Sequence, residues 1–272
     1  MLAPAWRVWT YAAPSVVLGC AQRGLLLLHG PKLEPGPGLK TEQQTAQQTG
    51  YQTGQQSGLE RRVEWLLRES GGGAVLTGPW LVGVSVALPP GHGWLGRSLS
   101  ESYRPLADLH VRALKAFGVS ARALPPQAAG PAAVRGFTPV GWACFGSVSP
   151  WEVVDGEGRK LVGMAQRRRK QGVLLVAGTL VGPTDWRLLC EALGQPADAV
   201  ALRERTVCMQ ELTRLGGPSQ GLAGLQGAQR FAVHLQAALQ VALQAELQKE
   251  LQKELQQGPQ QGSQERSKEG LK

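Results

Sequence analysis

The chain has 272 residues, 42% of them hydrophobic, which is enough to bury one substantial core or two small ones. Its four cysteines are scattered, with no CxxC pair and no histidine at metal-ligand spacing, so we expect neither a disulfide framework nor a metal site. The net charge of +9 favours an acidic partner, and nucleic acid, a membrane surface and an acidic protein all fit that charge.

The first 30 residues lack the basic start and the apolar run of a signal peptide, and no apolar run approaches the ~20 residues of a membrane helix. We therefore expect a cytoplasmic protein that does not bind membranes. Residues 7–11 alternate and residues 15–19 are mostly apolar, which predicts two strands. Residues 31–58 change to Pro, Gly, Gln and Thr, which predicts a disordered insertion.

A globular composition returns over residues 59–223. Residues 79–88 are apolar nearly throughout and predict a buried strand. Residues 100–117 predict a helix that is capped by Ser100 and ends at Gly118. Further along the chain we expect two strands joined by a basic turn and then two short helices, at residues 160–166, 173–181, 186–193 and 198–205.

Residues 224–272 form a low-complexity tail that is helical by composition. Its leucines recur every four residues from Leu235 to Leu255. Four residues advance ~400° on an α-helix, so the leucine stripe drifts by ~40° at each step and one straight face cannot bury all six. We expect the first half to pack on the domain and the part from residue 248 to project into solvent.

Three successive glycines, Gly71 to Gly73, are the sharpest candidate site. A backbone without Cβ atoms lets a ligand approach closely and can point N–H groups at an anionic or carbonyl oxygen, with Arg68 as a nearby positive charge. An ordinary flexible turn is the alternative. The run is neither a Walker loop nor a dinucleotide fingerprint, because the required spacings are absent.

Two single side chains are also candidates. Lys160 lies among apolar and small residues at the start of a predicted strand, where a solvated lysine at a turn is the alternative. Cys144 has apolar neighbours, so it is either a small buried hydrophobe or a nucleophile.

The order and spacing of these features resemble the family of lipoate–protein ligases and octanoyltransferases. Residues 70–75 resemble the core of its signature "RRxSGGGAVxH", residues 158–167 resemble "GrKlvGsAqr", and residues 178–180 lie where the family has "HGtLL". Upstream, residues 9–22 resemble "W.y..P.vvLG.sQ". The resemblance covers about residues 6–215. It implies an α+β fold with a mixed, largely antiparallel sheet flanked by helices, as in the catalytic domain of biotin and lipoate protein ligases.

The resemblance also implies an enzyme that transfers an octanoyl or lipoyl group to a lysine of a lipoyl carrier domain. Cys144 and Lys160 would be catalytic: the cysteine matches one that accepts the acyl group as a thioester, and the lysine matches one that contacts the acyl carbonyl. The same motifs imply a set of substrate-binding residues: Arg68, Ser70, Gly71, Gly72, Gly73, Ala74, Val75, Gly163, Ala165, Gly178 and Thr179.

Departures from the family pattern bear on the reaction type. Thr77 replaces the final histidine of the signature, and the Asn-Asp pair that ligases carry near Pro150 and Trp151 is absent. The absent pair favours thioester transfer without a cofactor over a ligase that uses ATP and Mg and in which Cys144 is only a core residue. A degenerate, non-catalytic protein that binds an acyl group or a carrier is the third hypothesis.

The partners implied are an acidic lipoyl domain or glycine-cleavage H protein as acceptor, and acyl carrier protein as acyl donor. We expect no nucleic acid, because the basic run at residues 167–170 has no interleaved aromatic residues. The chain begins about where the second strand of the family lies, so we expect the family's N-terminal strand and helix to be missing.

Overall fold

The structure is a computed structural model that describes residues 3–29, 63–129, 139–216 and 224–257. The elements follow one another as β1 (Ala5–Thr10), β2 (Ser15–Leu18), α1 (Arg23–His29), β3 (Glu64–Leu67), β4 (Val75–Thr77), β5 (Leu81–Leu88), α2 (Arg104–Ala116), β6 (Arg122–Ala123), β7 (Val153–Val154), β8 (Lys160–Arg169), β9 (Gly172–Leu180), α3 (Trp186–Ala192), α4 (Ala199–Arg205), α5 (Met209–Gly216) and α6 (Gly224–Gln257).

Two sheets form the centre of the fold. The larger has six strands in the order β1-β5-β9-β8-β7-β6, and every neighbouring pair is antiparallel. The smaller has the order β3-β2-β4, in which β2 pairs parallel with β3 and antiparallel with β4. With helices packed around them, the sheets confirm the predicted mixed α+β fold.

The strand β5 is apolar along most of its length because it is covered on both faces over its first half, where Leu81, Val82 and Val84 are buried, and on one face beyond it, where Val86 and Leu88 are buried. The predicted strand at 79–88 is thus confirmed. The predicted basic turn is shorter than expected. β8 continues through the basic residues to Arg169, opposite Gly172 of β9, because ladder hydrogen bonding needs no apolar side chains.

The helix predicted at residues 100–117 begins with a short 3-10 turn, Glu101–Tyr103, that leads into α2. Ser100 makes no capping hydrogen bond, so that prediction was wrong. The Oγ of Ser98 instead accepts a hydrogen bond from the Glu101 N–H at 3.2 Å. The predicted end is confirmed, since Gly118 adopts a φ of +74°, which is the left-handed conformation that glycine tolerates best.

The long helix α6 packs against β1, β5 and α2. Its buried side chains stop at Leu243, whereas Leu247 and Leu251 are 39% and 49% exposed, which confirms the predicted drift of the leucine stripe. One contact persists further along, since Glu250 Oε1 accepts a hydrogen bond from the Gly93 N–H at 3.1 Å. None of the described helices combines the length and apolar character needed to cross a membrane. The predicted insertion at residues 31–58 lies outside the described residues.

Candidate active site

The side chain of Lys160 is buried, with 2% of it exposed, although the first residue of a strand next to a turn usually reaches solvent. Its ammonium has three acceptors. Nζ donates to the carbonyl oxygens of Cys144 at 2.6 Å and Ser147 at 2.9 Å, and lies 2.7 Å from Glu152 Oε2. The alternative of a solvated lysine is therefore wrong. The lysine binds the loop that carries Cys144.

The loop that carries Cys144 and the glycine-rich segment are joined by main-chain hydrogen bonds. The Ala74 N–H donates to the Trp142 carbonyl at 2.8 Å, and the Cys144 N–H donates to the Ala74 carbonyl at 2.8 Å. Gly73 lies so close to this loop that a Cβ on it would come within 2.7 Å of the Ala143 carbonyl carbon. The missing side chain at Gly73 therefore allows two protein segments to approach each other.

Further contacts position Trp142, two residues before the cysteine. Its carbonyl also accepts a hydrogen bond from Gln22 Nε2 at 2.8 Å, and its indole Nε1 donates to Asp198 Oδ2 at 2.7 Å. The loop is thus tied to the end of the small sheet and to the start of α4. Gln22 ends the segment that resembles the family pattern, whereas Asp198 has no signal in the sequence.

Arg68 turns its guanidinium onto the glycine-rich segment. Its Nη2 donates to the carbonyls of Gly71 at 3.0 Å and Gly73 at 2.7 Å, and only 7% of the residue is exposed. Gly72 between them has a φ of +94°, where a residue with a side chain would be strained. The arginine therefore supports the shape of this segment.

An apolar cavity of ≈ 60 Å³ lies between the two sheets, and the half-buried Cys144 is part of its wall. Five predicted substrate-binding residues also line it: Arg68, Val75, Gly163, Ala165 and Gly178. The other six do not, namely Ser70, Gly71, Gly72, Gly73, Ala74 and Thr179. Thr179 is fully buried beside Gly178 on the alternate face of β9.

Gly163 lies next to the Cys144 thiol, and its missing side chain leaves space there. A Cβ on Gly163 would lie 3.5 Å from Cys144 Sγ, 3.2 Å from Lys160 Cε and 3.3 Å from Phe145 Cζ. The Lys160 ammonium also lies 5.3 Å from the centre of the Phe145 ring. The thiol and the lysine side chain therefore approach the same point from two directions.

Several residues that line the cavity were not predicted from the sequence: Trp9, Tyr11, Val17, Thr77, Leu81, Phe145, Met164, Val176 and Ala177. Most are apolar strand residues and look like ordinary core. Thr77 was noted only as a departure from the signature, and its hydroxyl donates to the Ser15 carbonyl at 3.2 Å. Glu152 lies in a segment, residues 149–154, that resembles the octanoyltransferases, but it was not predicted as a site residue.

None of the other three cysteines lines this cavity. Cys20 is exposed, whereas Cys190 and Cys208 are buried. Burial raises the pKa of the Cys190 thiol to about 11, which keeps it protonated. A larger groove of ≈ 340 Å³ around Trp186 and Arg203 contains none of the predicted site residues, so the smaller cavity at Cys144 is the candidate active site.

Comparison with known proteins shows that the chain is similar to members of one protein family. Residues 3–215 match the profile of the family described as lipoyl protein ligase A/B catalytic domain. The octanoyltransferase LipM of Kyrpidia tusciae is 37% identical over 138 residues, which cover 51% of this chain and 48% of that protein. LipM of Geobacillus kaustophilus is 31% identical over 153 residues, 54% and 53% of the respective chains.

The chain thus spans about half the length of the curated relatives it matches. A crystal structure of lipoate-protein ligase A bound with ATP aligns with a TM-score of 0.49 and 19% identity, over 90% of this chain and 73% of that one. The family profile covers most of the chain, including both candidate loops and Lys160. The chain belongs to the lipoyl protein ligase A/B catalytic domain family.

Proposed function

We propose that the protein transfers an octanoyl or lipoyl group to a lysine of a lipoyl carrier domain, through a thioester on Cys144. The observation that carries this proposal is the half-buried Cys144 thiol in the wall of an apolar cavity, next to the buried Lys160. An apolar cavity suits an alkyl chain, and a cysteine at its wall can reach the carboxyl end of that chain.

The reaction has two steps. The Cys144 thiolate attacks the carbonyl carbon of the donor thioester, and the donor leaves as a thiol after taking up a proton. The amine of the carrier lysine then attacks the enzyme thioester, so that an amide forms, the carbon–sulfur bond breaks and the Cys144 thiol is regenerated. The proposed role of Lys160 is to stabilise negative charge on the acyl carbonyl oxygen, which requires it to release one of its three present acceptors.

We propose that the cavity-lining residues Arg68, Val75, Gly163, Ala165 and Gly178 contact the acyl chain. A cavity of ≈ 60 Å³ has room for about two water molecules at roughly 30 Å³ each, less than an eight-carbon chain needs. Met164, with three flexible bonds, is the wall residue best able to move aside. The proposed role of the glycine-rich segment is to hold the Cys144 loop in place.

Two observations support transfer over ATP-dependent ligation. The similar curated proteins are named octanoyltransferases. In addition, the Glu152 carboxylate, which follows Trp151, is buried and already contacts Lys160 and the N–H groups of Ser149 and Met164, so it is engaged within its own loop rather than presented to a metal–nucleotide complex. The proposed acceptor is an acidic lipoyl domain or H protein, in keeping with the net charge of +9, and acyl carrier protein is the proposed donor.

The experiment is to incubate the protein with octanoyl-acyl carrier protein, without ATP, and to record its intact mass. We expect an octanoyl adduct in the wild type and in Cys20→Ser, and no adduct in Cys144→Ser. Addition of a lipoyl domain should remove the adduct and acylate the domain. Acylation of the domain that requires ATP and free octanoate would contradict the thioester route, and carrier binding with neither reaction would contradict catalysis altogether.

A further inference from the structure

Glu152 lies at the centre of the contacts around Lys160. Its carboxylate is buried, with 3% of the side chain exposed. Oε2 lies 2.7 Å from Lys160 Nζ and accepts the Ser149 N–H at 2.8 Å, and Oε1 accepts the Met164 N–H at 2.9 Å. Both oxygens are therefore held in place by main-chain donors from two separate segments.

The position in which Glu152 holds the Lys160 ammonium determines how close that positive charge lies to the Cys144 thiol. The two other acceptors of Lys160 Nζ are main-chain carbonyls of the Cys144 loop. Meanwhile the Lys160 side chain and Cys144 Sγ approach the same point next to Gly163. A buried ammonium needs a counterion. Among the described residues, Glu152 is the carboxylate that pairs with it, and the Cys144 thiol lies on the other side of the gap at Gly163 from the lysine side chain.

We propose that Glu152 is a positioning residue for acyl transfer, which holds the Lys160 ammonium on the carbonyls of Cys144 and Ser147 and away from the thiol. This inference rests on the proposed function for its role in the reaction, but the geometry can be tested without an acyl substrate. In the resting enzyme the lysine stabilises the loop, and its charge is balanced by Glu152 rather than by Cys144.

Other groups face the thiol and must be kept constant in a test. Tyr103 lies close enough to interact electrostatically with both Cys144 and Glu152, and its hydroxyl bonds Gln166. Arg68 and Tyr11 line the same cavity. Each of these is unchanged in the variants below, so a difference between variants reports on Glu152 and Lys160.

The test is the pH dependence of Cys144 alkylation by iodoacetamide, in a Cys20→Ser background that removes the exposed cysteine. In Glu152→Gln the ammonium loses its carboxylate, and a thiolate becomes its remaining counterion. We expect the half-maximal pH of alkylation to fall by about one pH unit. When Lys160→Gln is also present, Glu152→Gln should not lower the half-maximal pH of alkylation, because the carboxylate affects the thiol only by positioning the lysine.

Asp155→Asn is the matched control. Asp155 is a second buried carboxylate on the same segment, but it pairs with Arg159 at 2.8 Å rather than with Lys160. We expect Asp155→Asn to leave the alkylation profile unchanged. A Glu152→Gln profile that coincides with the wild type would overturn the proposal, and so would an equal fall in the Lys160→Gln background, which would mean that the carboxylate acts on the thiol directly.

Two further measurements complete the test. If circular dichroism shows that Glu152→Gln is unfolded, Glu152→Asp takes its place, since its carboxylate is one methylene shorter. It should shift the profile in the same direction by a smaller amount, and an unchanged profile would overturn the proposal. In the transfer assay, kcat of the folded variant should fall about tenfold with KM for the carrier unchanged, because the ammonium no longer anchors the carbonyls of the Cys144 loop while the carrier surface is not altered. Failure of transfer in the wild type would refute the proposed function and leave the alkylation result to decide on Glu152.

Discussion

Gly73→Ala is the substitution whose effect follows most directly from the structure. A Cβ at this position would lie 2.7 Å from the Ala143 carbonyl carbon and 2.8 Å from the Cys144 nitrogen, and closer still to the Trp142 carbonyl oxygen. Carbon atoms in contact lie about 3.5–4.0 Å apart, so the Cys144 loop must move by roughly 1 Å. All three atoms belong to the main chain, and no side-chain rotation can relieve the contact.

The magnitude has a structural and a catalytic part. Overpacking of this kind costs about 1–3 kcal/mol, which in a domain of this size lowers Tm by roughly 2–12 °C. A displacement of about 1 Å at a reacting group lowers the rate by about 100-fold. The rate of octanoyl adduct formation, measured by intact mass at a temperature well below Tm, separates the two parts.

Gly141→Ala is the matched control, because Gly141 lies in the same loop and a Cβ there would meet nothing within 4 Å. We expect both its Tm and its adduct formation to stay close to the wild type. A Gly73→Ala enzyme that acylates at the wild-type rate would refute the reasoning. So would an equal loss in Gly141→Ala, since that would show the loop to be sensitive to any substitution.

Two further predictions concern stability. Burial lowers the pKa of His110 from 6.5 to about 4, so the unfolded chain takes up this proton first as the pH falls. The free energy of unfolding therefore falls by up to about 3 kcal/mol between pH 6.5 and 4. In His110→Leu, the free energy of unfolding measured with urea should depend less steeply on pH over that range. A slope equal to that of the wild type would contradict this. On α6, Leu239→Ala should lower the free energy of unfolding by about 2–5 kcal/mol, because Leu239 is fully buried. Leu251→Ala should lower it by less than about 0.5 kcal/mol, because Leu251 is 49% exposed. Similar losses in the two variants would show that the helix does not pack as described.

The parts of the fold that follow from local periodicity could be predicted from the sequence. The strand β5, the helix α2 with its end at Gly118, and the drift of the leucine stripe on α6 all depend on residues close together in the chain. The cap predicted at Ser100 was wrong because the Ser100 backbone is already helical, with φ −71° and ψ −38°, whereas a capping residue adopts a non-helical conformation.

The candidate site was predictable only in part. Cys144 and Lys160 were found by their resemblance to a family, and the structure brings their side chains to the same point beside Gly163. The burial of Lys160 was not predictable, because its partner Glu152 lies eight residues earlier, just before β7. Likewise the contact between Trp142 and Asp198 joins residues 56 positions apart, and no local pattern encodes it.

The hydrogen bond between the Cys144 N–H and the Ala74 carbonyl has a consequence for how the proposed acyl transfer would stabilise negative charge. In many acyl-transfer enzymes the amide N–H of the nucleophile itself contributes to the oxyanion hole. Here that N–H already donates to Ala74, as part of the bond pair that joins the two loops. An oxyanion hole at this thiol would therefore rely on other donors. The Cys144 N–H joins the two loops, and a different group would have to stabilise a tetrahedral intermediate.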